Sequence, residues 1–369
     1  MTEPVPRPNL RTLTGLRFVA ALLVFGRHVE GLFAGSRMEG AARHVLYQGG
    51  IGVSFFFALS GFVLTWSRRP HDNRRSFYRR RFARIYPNYV VAWALGGVVA
   101  VWVGITVSVG IALTSLALVQ AFVPNQSYFL GMDGVSWSLS CEAFFYALFP
   151  LLVVVLERVT RRVRLSVLLL ALGGTVAMPW ITVALIPPAH RLWWIYIFPP
   201  VRMLEFIAGI VVAFEVADGT WPRLRAAAVV PGVVVAYLAA GEAGLWRPQS
   251  LPVTSGYAAF TIVPIVLLLG VAAYADIDGR WSPFRHPWLV RLGEWSYAFY
   301  LLHFLVVLSY EKLIGTSYLG SVRAMLVSCG LLSVAIACSG LLHKLVERPW
   351  ERRLRGAPPR PAGLAILSD

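Results

Sequence analysis

Charge is scarce in this chain: 14% of its 369 residues are Asp, Glu, Lys or Arg against 57% hydrophobic, and the mean hydropathy is +0.65. A soluble domain carries about a quarter charged residues, so a water-soluble fold is excluded. Cysteine is nearly absent too. Cys141, Cys329 and Cys338 all fall in apolar segments with neither disulfide nor metal-ligand spacing, which leaves them as small core residues and offers no metal site. Lysine supplies 2 of the 34 basic residues and acidic groups number 18, so an arginine-dominated charge of +16 remains. In a soluble protein that balance would point to nucleic acid. Here the arginines lie between apolar runs, so membrane orientation, anionic membrane lipids and a polyanionic ligand explain them better than nucleic acid does.

Apolar runs near the ~20 residues needed to cross a bilayer are what the chain has in abundance. Broken at Gly, Pro and Arg clusters, they give spans at 14–33, 49–66, 86–106, 134–156, 165–186, 200–217, 226–242, 255–275, 292–311 and 322–345. The chain therefore reads as all-α, a polytopic integral membrane bundle of about ten helices, multi-pass in the cell membrane. Arginine-rich loops alternate with poor ones, which places both termini in the cytoplasm. The stretch 113–124, LTSLALVQAFVP, is about half a span long and is expected to be re-entrant or interfacial. The N-terminus lacks a small-residue cleavage site, so the first helix is expected to stay in the mature protein. Residues 1–350 form one transmembrane domain, and the Arg- and Pro-rich tail 351–369 is expected to be disordered.

Ionisable groups inside spans are costly and hence functional candidates. Arg17 and His28 stand eleven residues apart in the first span, three turns plus ~20°, so they share a face with roughly 16 Å between them. That spacing suits a long ligand with a charged head at a membrane surface and a reactive end near mid-membrane. A histidine bonding a neighbouring helix would explain His28 equally well. The loop before the third span holds eight arginines, among them Arg81 and Arg84 at i and i+3, a pair able to grip phosphates. Most of the others need mean no more than lipid binding and topology. Ser138, Glu142 and Tyr146 form one helical stripe in VSWSLSCEAFFYALFP. Glu142 either orients an imidazole or pairs with an arginine. Arg202, Glu205 and Gly209 in RMLEFIAG suit an intrahelical ion pair with a glycine for close packing, or a cavity wall. Ser296, Tyr300 and His303 share a face with Tyr297 beside them, lining a cavity or bridging helices.

Together these motifs, with FFFALSGFVL in the second span, RRRFARIYP before the third and VERP near the end, resemble the acyltransferase 3 family over nearly the whole chain. The resemblance implies an integral-membrane O-acyltransferase that moves an acyl group, expected to be acetyl, from acyl-CoA to a hydroxyl of a sugar, a cell-envelope glycan or a secondary metabolite such as a macrolide. Acyl-CoA is then a substrate, with no permanently bound cofactor. His28 resembles the family's essential histidine, Arg17 its arginine partner, Arg81 and Arg84 the R-x-x-R pair that handles acyl-CoA, and Glu142 the glutamate of the fourth span. A fused hydrolase domain of some members is not seen in this sequence, so such a transfer partner would be separate or unnecessary.

The expected mechanism has His28 as general base, with Glu142 fixing its tautomer, and an acyl-histidine intermediate as the variant. Hydroxyls of Ser60, Tyr297 or Tyr300 are candidates to donate to the developing oxyanion. The alternative is a transporter or flippase for a glycolipid or metabolite, using the buried polar groups as a proton path.

Overall fold

The computed structural model describes residues 7–68, 73–246, 257–315 and 319–355. Among them the chain is helical with no strand: α1 (Arg11–Val29), α2 (Glu39–Leu46), α3 (Ile51–Trp66), α4 (Arg74–Val103), α5 (Val109–Leu116), α6 (Gln126–Phe129) and α7 (Trp137–Arg158). Then follow α8 (Arg161–Leu185), α9 (Pro199–Ala217), α10 (Ala226–Trp246), α11 (Tyr257–Ile277), α12 (Pro287–Ile314), α13 (Ser321–Leu342) and α14 (Arg348–Arg355). Polar residues at the loop ends start the helices. The side chains of Asn73 and Ser108 accept from the backbone N–H groups of Ser76 and Ile111 at 2.7 and 3.2 Å, satisfying donors that have no partner inside the helix. Gly104, at φ 94°, closes α4 in the left-handed region that a side chain would oppose.

Eight helical stretches are long and apolar enough to cross a membrane, so the protein is a multi-pass helical membrane bundle. The two other spans expected from the sequence are α1, diluted by Arg11, Arg17 and Arg27, and α10, whose apolar part is Ala226–Glu242. Both pack along helices of crossing length, α1 on α12 and α10 on α11. Arg11 at the start of α1 and Trp66 at the end of α3 border one cavity, so α1 leaves that end of the bundle and α3 returns to it. Arg223 before α10 donates to both carboxylate oxygens of Asp278 after α11 at 2.9 Å, which closes α10 and α11 into a hairpin. Arg7 and Arg348, near the two ends of the described residues, line that same cavity.

The stretch 113–124 does not cross. An eight-residue α5 is about 12 Å long against a hydrocarbon core of ~30 Å. It ends at Leu118, whose φ of 57° breaks the helix, and a short 3₁₀ turn follows at Gln120–Phe122. Three donors on α4 hold it: the hydroxyls of Tyr89 and Tyr86 donate to the carbonyls of Ser115 and Leu116 at 2.6 and 3.3 Å, and the Trp93 indole donates to Ala112 at 3.2 Å.

Two contacts position the site. On α9, a Cβ at Gly209 would stand 1.8 Å from the Ala58 carbonyl oxygen of α3, and on α12 a Cβ at Gly293 would stand 1.8 Å from the Thr14 carbonyl oxygen of α1. Only glycine allows backbones so close, the small-residue packing typical of membrane helices. The α1 and α12 pair run parallel, with Thr14 beside Gly293, Phe18 against Phe299 and His28 against His303. Of the tail, α14 extends through Arg355, so residues 351–355 are helical; residues 356–369 lie outside the described residues.

Candidate active site

Three chambers share walls and lead into the bundle beside α1. The mouth, about 860 Å³, gathers Arg7, Arg11, Arg17, Arg84 and Arg348 against Glu294, Glu347 and Glu351. An excess of guanidinium over carboxylate in a concave site favours a polyanion. Arg17, Arg84, Leu59 and Val63 pass into a second chamber of about 80 Å³, where Ser60, Arg81, Glu142, Tyr146 and Tyr297 join the wall. Arg17, Phe56, Glu142 and Tyr297 then continue into a third, about 50 Å³, closed by Ser138, Ser296 and Tyr300. Arg17 is common to all three. Beyond Tyr300 a stack of rings leads on: Tyr300 to His303 at 5.8 Å between centroids, and His303 to His28 at 5.2 Å.

The expected residues fall into two groups. Ser60, Ser138, Tyr146, Ser296, Tyr297 and Tyr300 line the chambers with Arg17, Arg81, Arg84 and Glu142. Arg202, Glu205 and His303, expected on a cavity wall, do not line these three chambers. Arg202 pairs with Glu205 at 3.1 Å, donates to Ser54 at 3.0 Å and lies over the rings of Phe57 and Tyr196, so the pair fastens α9 to α3 next to Gly209. His303 is buried behind Tyr300, on the path to His28.

Glu142 and His28 belong to different neighbourhoods, which corrects the expected pairing. The carboxylate accepts from the Tyr146 hydroxyl at 3.2 Å and feels Arg17, Arg84 and Arg81. His28 stands in the last turn of α1, nearer the end of the span than its middle, with the rings of Phe304 at 4.7 Å and His303 at 5.2 Å. Glu142 is three turns down the same side of the bundle, beside Arg17, because helical spacing fixes a face and not its partner.

The oxyanion donors also need revision. Tyr297 gives its hydrogen to the Ile85 carbonyl at 2.9 Å and Tyr300 gives its own to Val135 at 3.1 Å, so both hydroxyls clip helices together. Ser60 donates to Tyr146 at 3.3 Å, a long bond that a stronger acceptor could displace.

Several polar groups escaped the sequence reading. Asn88 donates to Glu347 at 2.8 Å and His343 lies 3.1 Å from the same carboxylate, in a π-helical turn on the mouth wall. The polar residues inside the apolar runs were the available signal. Asp133, in the turn before α7, has one carboxylate oxygen with no hydrogen-bond partner among the described residues, and burial pushes its carboxyl up to about 8. The loop it belongs to touches the site, since a Cβ at Gly134 would meet the Phe304 ring at 2.7 Å.

Residues 10–344 match the model of an acyltransferase domain, that of the acyltransferase 3 family. The acyltransferase MdmB of Streptomyces mycarofaciens is 38% identical over 94% of this chain and 92% of its own length. The peptidoglycan O-acetyltransferase OatA of Listeria monocytogenes is 24% identical over 83% of this chain, which spans 50% of that protein. The exopolysaccharide production protein ExoZ of Rhizobium meliloti is 27% identical over 83% of this chain and 91% of its own length. No solved structure matches the chain.

Proposed function

Because the chain belongs to the acyltransferase 3 family and is a membrane acyltransferase, we propose that it transfers an acyl group, acetyl in the simplest case, from acyl-CoA to a hydroxyl. The acceptor is a sugar, an envelope glycan or a secondary metabolite such as a macrolide. Relatives named for peptidoglycan O-acetylation and exopolysaccharide production support an O-acyl transfer to a carbohydrate or a compound of similar hydroxyl chemistry. One observation carries the proposal: a wide basic mouth continues through two narrow chambers, all sharing Arg17, toward an imidazole pair.

In this account acyl-CoA enters from the cytoplasmic side of the cell membrane. Its phosphates meet Arg84 and Arg17, with Arg7, Arg11 and Arg348 around them and Arg81 one turn before Arg84. The pantetheine arm extends past Ser60 and Tyr297. Glu142 holds Arg17, Arg81 and Arg84 in place rather than orienting the base. At the far end His28 takes the proton of the acceptor hydroxyl as its oxygen attacks the thioester carbon. The C–S bond breaks, and the proton returns to the leaving thiolate to give free CoA. Ser60, whose bond to Tyr146 is long, is placed to turn toward the passing pantetheine arm rather than toward the carbonyl that reacts at His28.

The test uses purified protein in lipid nanodiscs with radiolabelled acetyl-CoA and a panel of glycan and macrolide acceptors. Free thiol and labelled acceptor are expected to form in equal amounts. In sealed proteoliposomes a carrier would move label across the bilayer without releasing thiol, and that outcome would replace the enzyme mechanism.

A further inference from the structure

His303 is fully buried midway along α12. Its Nδ1 lies 3.1 Å from the Phe299 carbonyl oxygen one turn earlier. A carbonyl only accepts, so Nδ1 carries the hydrogen and Nε2 presents a lone pair. That Nε2 is buried and has no hydrogen-bond partner among the described residues. Buried acceptors are almost always satisfied, so one left open calls for an explanation.

Four rings lie against the His303 ring. Phe25 and Phe299 are hydrocarbon, and Tyr300 has already given its hydrogen to Val135. The fourth is His28, with ring centroids 5.2 Å apart and planes at 53°. It is the one ring of the four with an N–H to give. At 5.2 Å between centroids, two ring nitrogens turned toward each other come within hydrogen-bond reach, and hydrogen bonds of unliganded sites often close only when substrate arrives.

We propose that His303 is the positioning residue of the reaction: Nε2 accepts a hydrogen bond from one ring N–H of His28 and so keeps the other nitrogen unprotonated and turned toward the acceptor hydroxyl. This rests on His28 being the base. As that free nitrogen takes the hydroxyl proton, the oxygen–carbon bond forms and the C–S electron pair leaves on sulfur; His28 then returns the proton to the thiolate. His303 transfers no proton. It holds the imidazolium through Nε2 while the Phe299 carbonyl holds Nδ1–H, a chain from helix backbone to base. A carboxylate is the usual orienting partner, yet here Glu142 is engaged with arginines and the second imidazole takes its place.

The experiment measures acetyl-CoA turnover by four variants in nanodiscs, with thermal stability as the control for folding. His303→Leu keeps the bulk but loses the acceptor, and kcat is expected to fall roughly 10–100-fold with the KM for acetyl-CoA unchanged. His303→Gln, whose side-chain oxygen reaches the Nε2 position, is expected to recover most of the loss. His303→Asn, too short to reach His28, is not. If His303→Leu does not fold, the Gln and Asn pair alone decides, since equal kcat in those two overturns the proposal. His28→Ala separates the two assignments. Near wild-type turnover in His303→Leu beside an inactive His28→Ala removes the positioning role and leaves the base; an active His28→Ala removes both.

Discussion

His28 and Asp133 make the two sharpest statements at the scale of single residues. With His28 as general base, His28→Ala is expected to lower turnover by ~10²–10⁴-fold while acetyl-CoA still binds, because Arg17, proposed to hold its phosphates, lies three turns away along α1. Steady-state kinetics with a binding titration on the same preparation check this. Arg84→Ala is expected to do the reverse. A charge-assisted contact is worth ~1.5–3 kcal/mol, so the Kd for acetyl-CoA should rise about 10–100-fold, with the chemical step little altered once the site is saturated. An unchanged Kd would move the donor site away from the mouth. Asp133 concerns stability. Its carboxyl, lifted to about 8 by burial, keeps in the folded state a proton that the unfolded chain releases near pH ~3.9. Stability therefore falls as pH rises through that window. Asp133→Asn is neutral throughout, so its thermal midpoint should show a flatter pH dependence than that of the wild type. Parallel slopes would place the titration elsewhere.

At the scale of elements, the helix contacts are set by glycines whose missing Cβ lets backbones meet. Gly209→Val on α9 drives a side chain into the Ala58 carbonyl of α3 and is expected to cost ~1–3 kcal/mol or more, read as a lowered thermal midpoint and weaker expression. A change of the same size at Gly173, which has open space around it, should be tolerated, and comparable losses at the two positions would undo the packing argument. All ten expected spans correspond to a helix, eight of them on apolar runs of crossing length, a property local to the sequence. The short α5 was legible for the same reason. Partners were less so. Spacing put Glu142, Ser138 and Tyr146 on one stripe, yet the arginines beside Glu142 come from α1 and α4. The carboxylate–imidazole pairing failed because helical periodicity fixes a face without saying which helix meets it. His303 shows the same gap: its face was readable, but its contact with His28 depends on the parallel docking of α1 and α12 through Gly293.

For the whole molecule, one end of the bundle carries the mouth, both ends of the described residues and the arginines that begin α4 and α8, while the imidazole pair lies toward the other. From the arginine asymmetry of the sequence, the mouth is expected to face the cytoplasm. With the native cysteines replaced, a cysteine at Ser36 is expected to react with an impermeant thiol reagent on intact cells, and one at Thr160 is expected to be protected. Labelling at Thr160 would put the mouth on the outside, beyond the reach of cytoplasmic acyl-CoA. Whether a donor held at the mouth is consumed at His28 is decided by a single-turnover experiment. Radiolabelled acetyl-CoA is bound to wild type and to His28→Ala in nanodiscs, acceptor is added, and free CoA is followed over time. Equal initial occupancy is expected in the two proteins, with a burst of CoA from wild type alone. A burst of the same amplitude and rate from His28→Ala would contradict this.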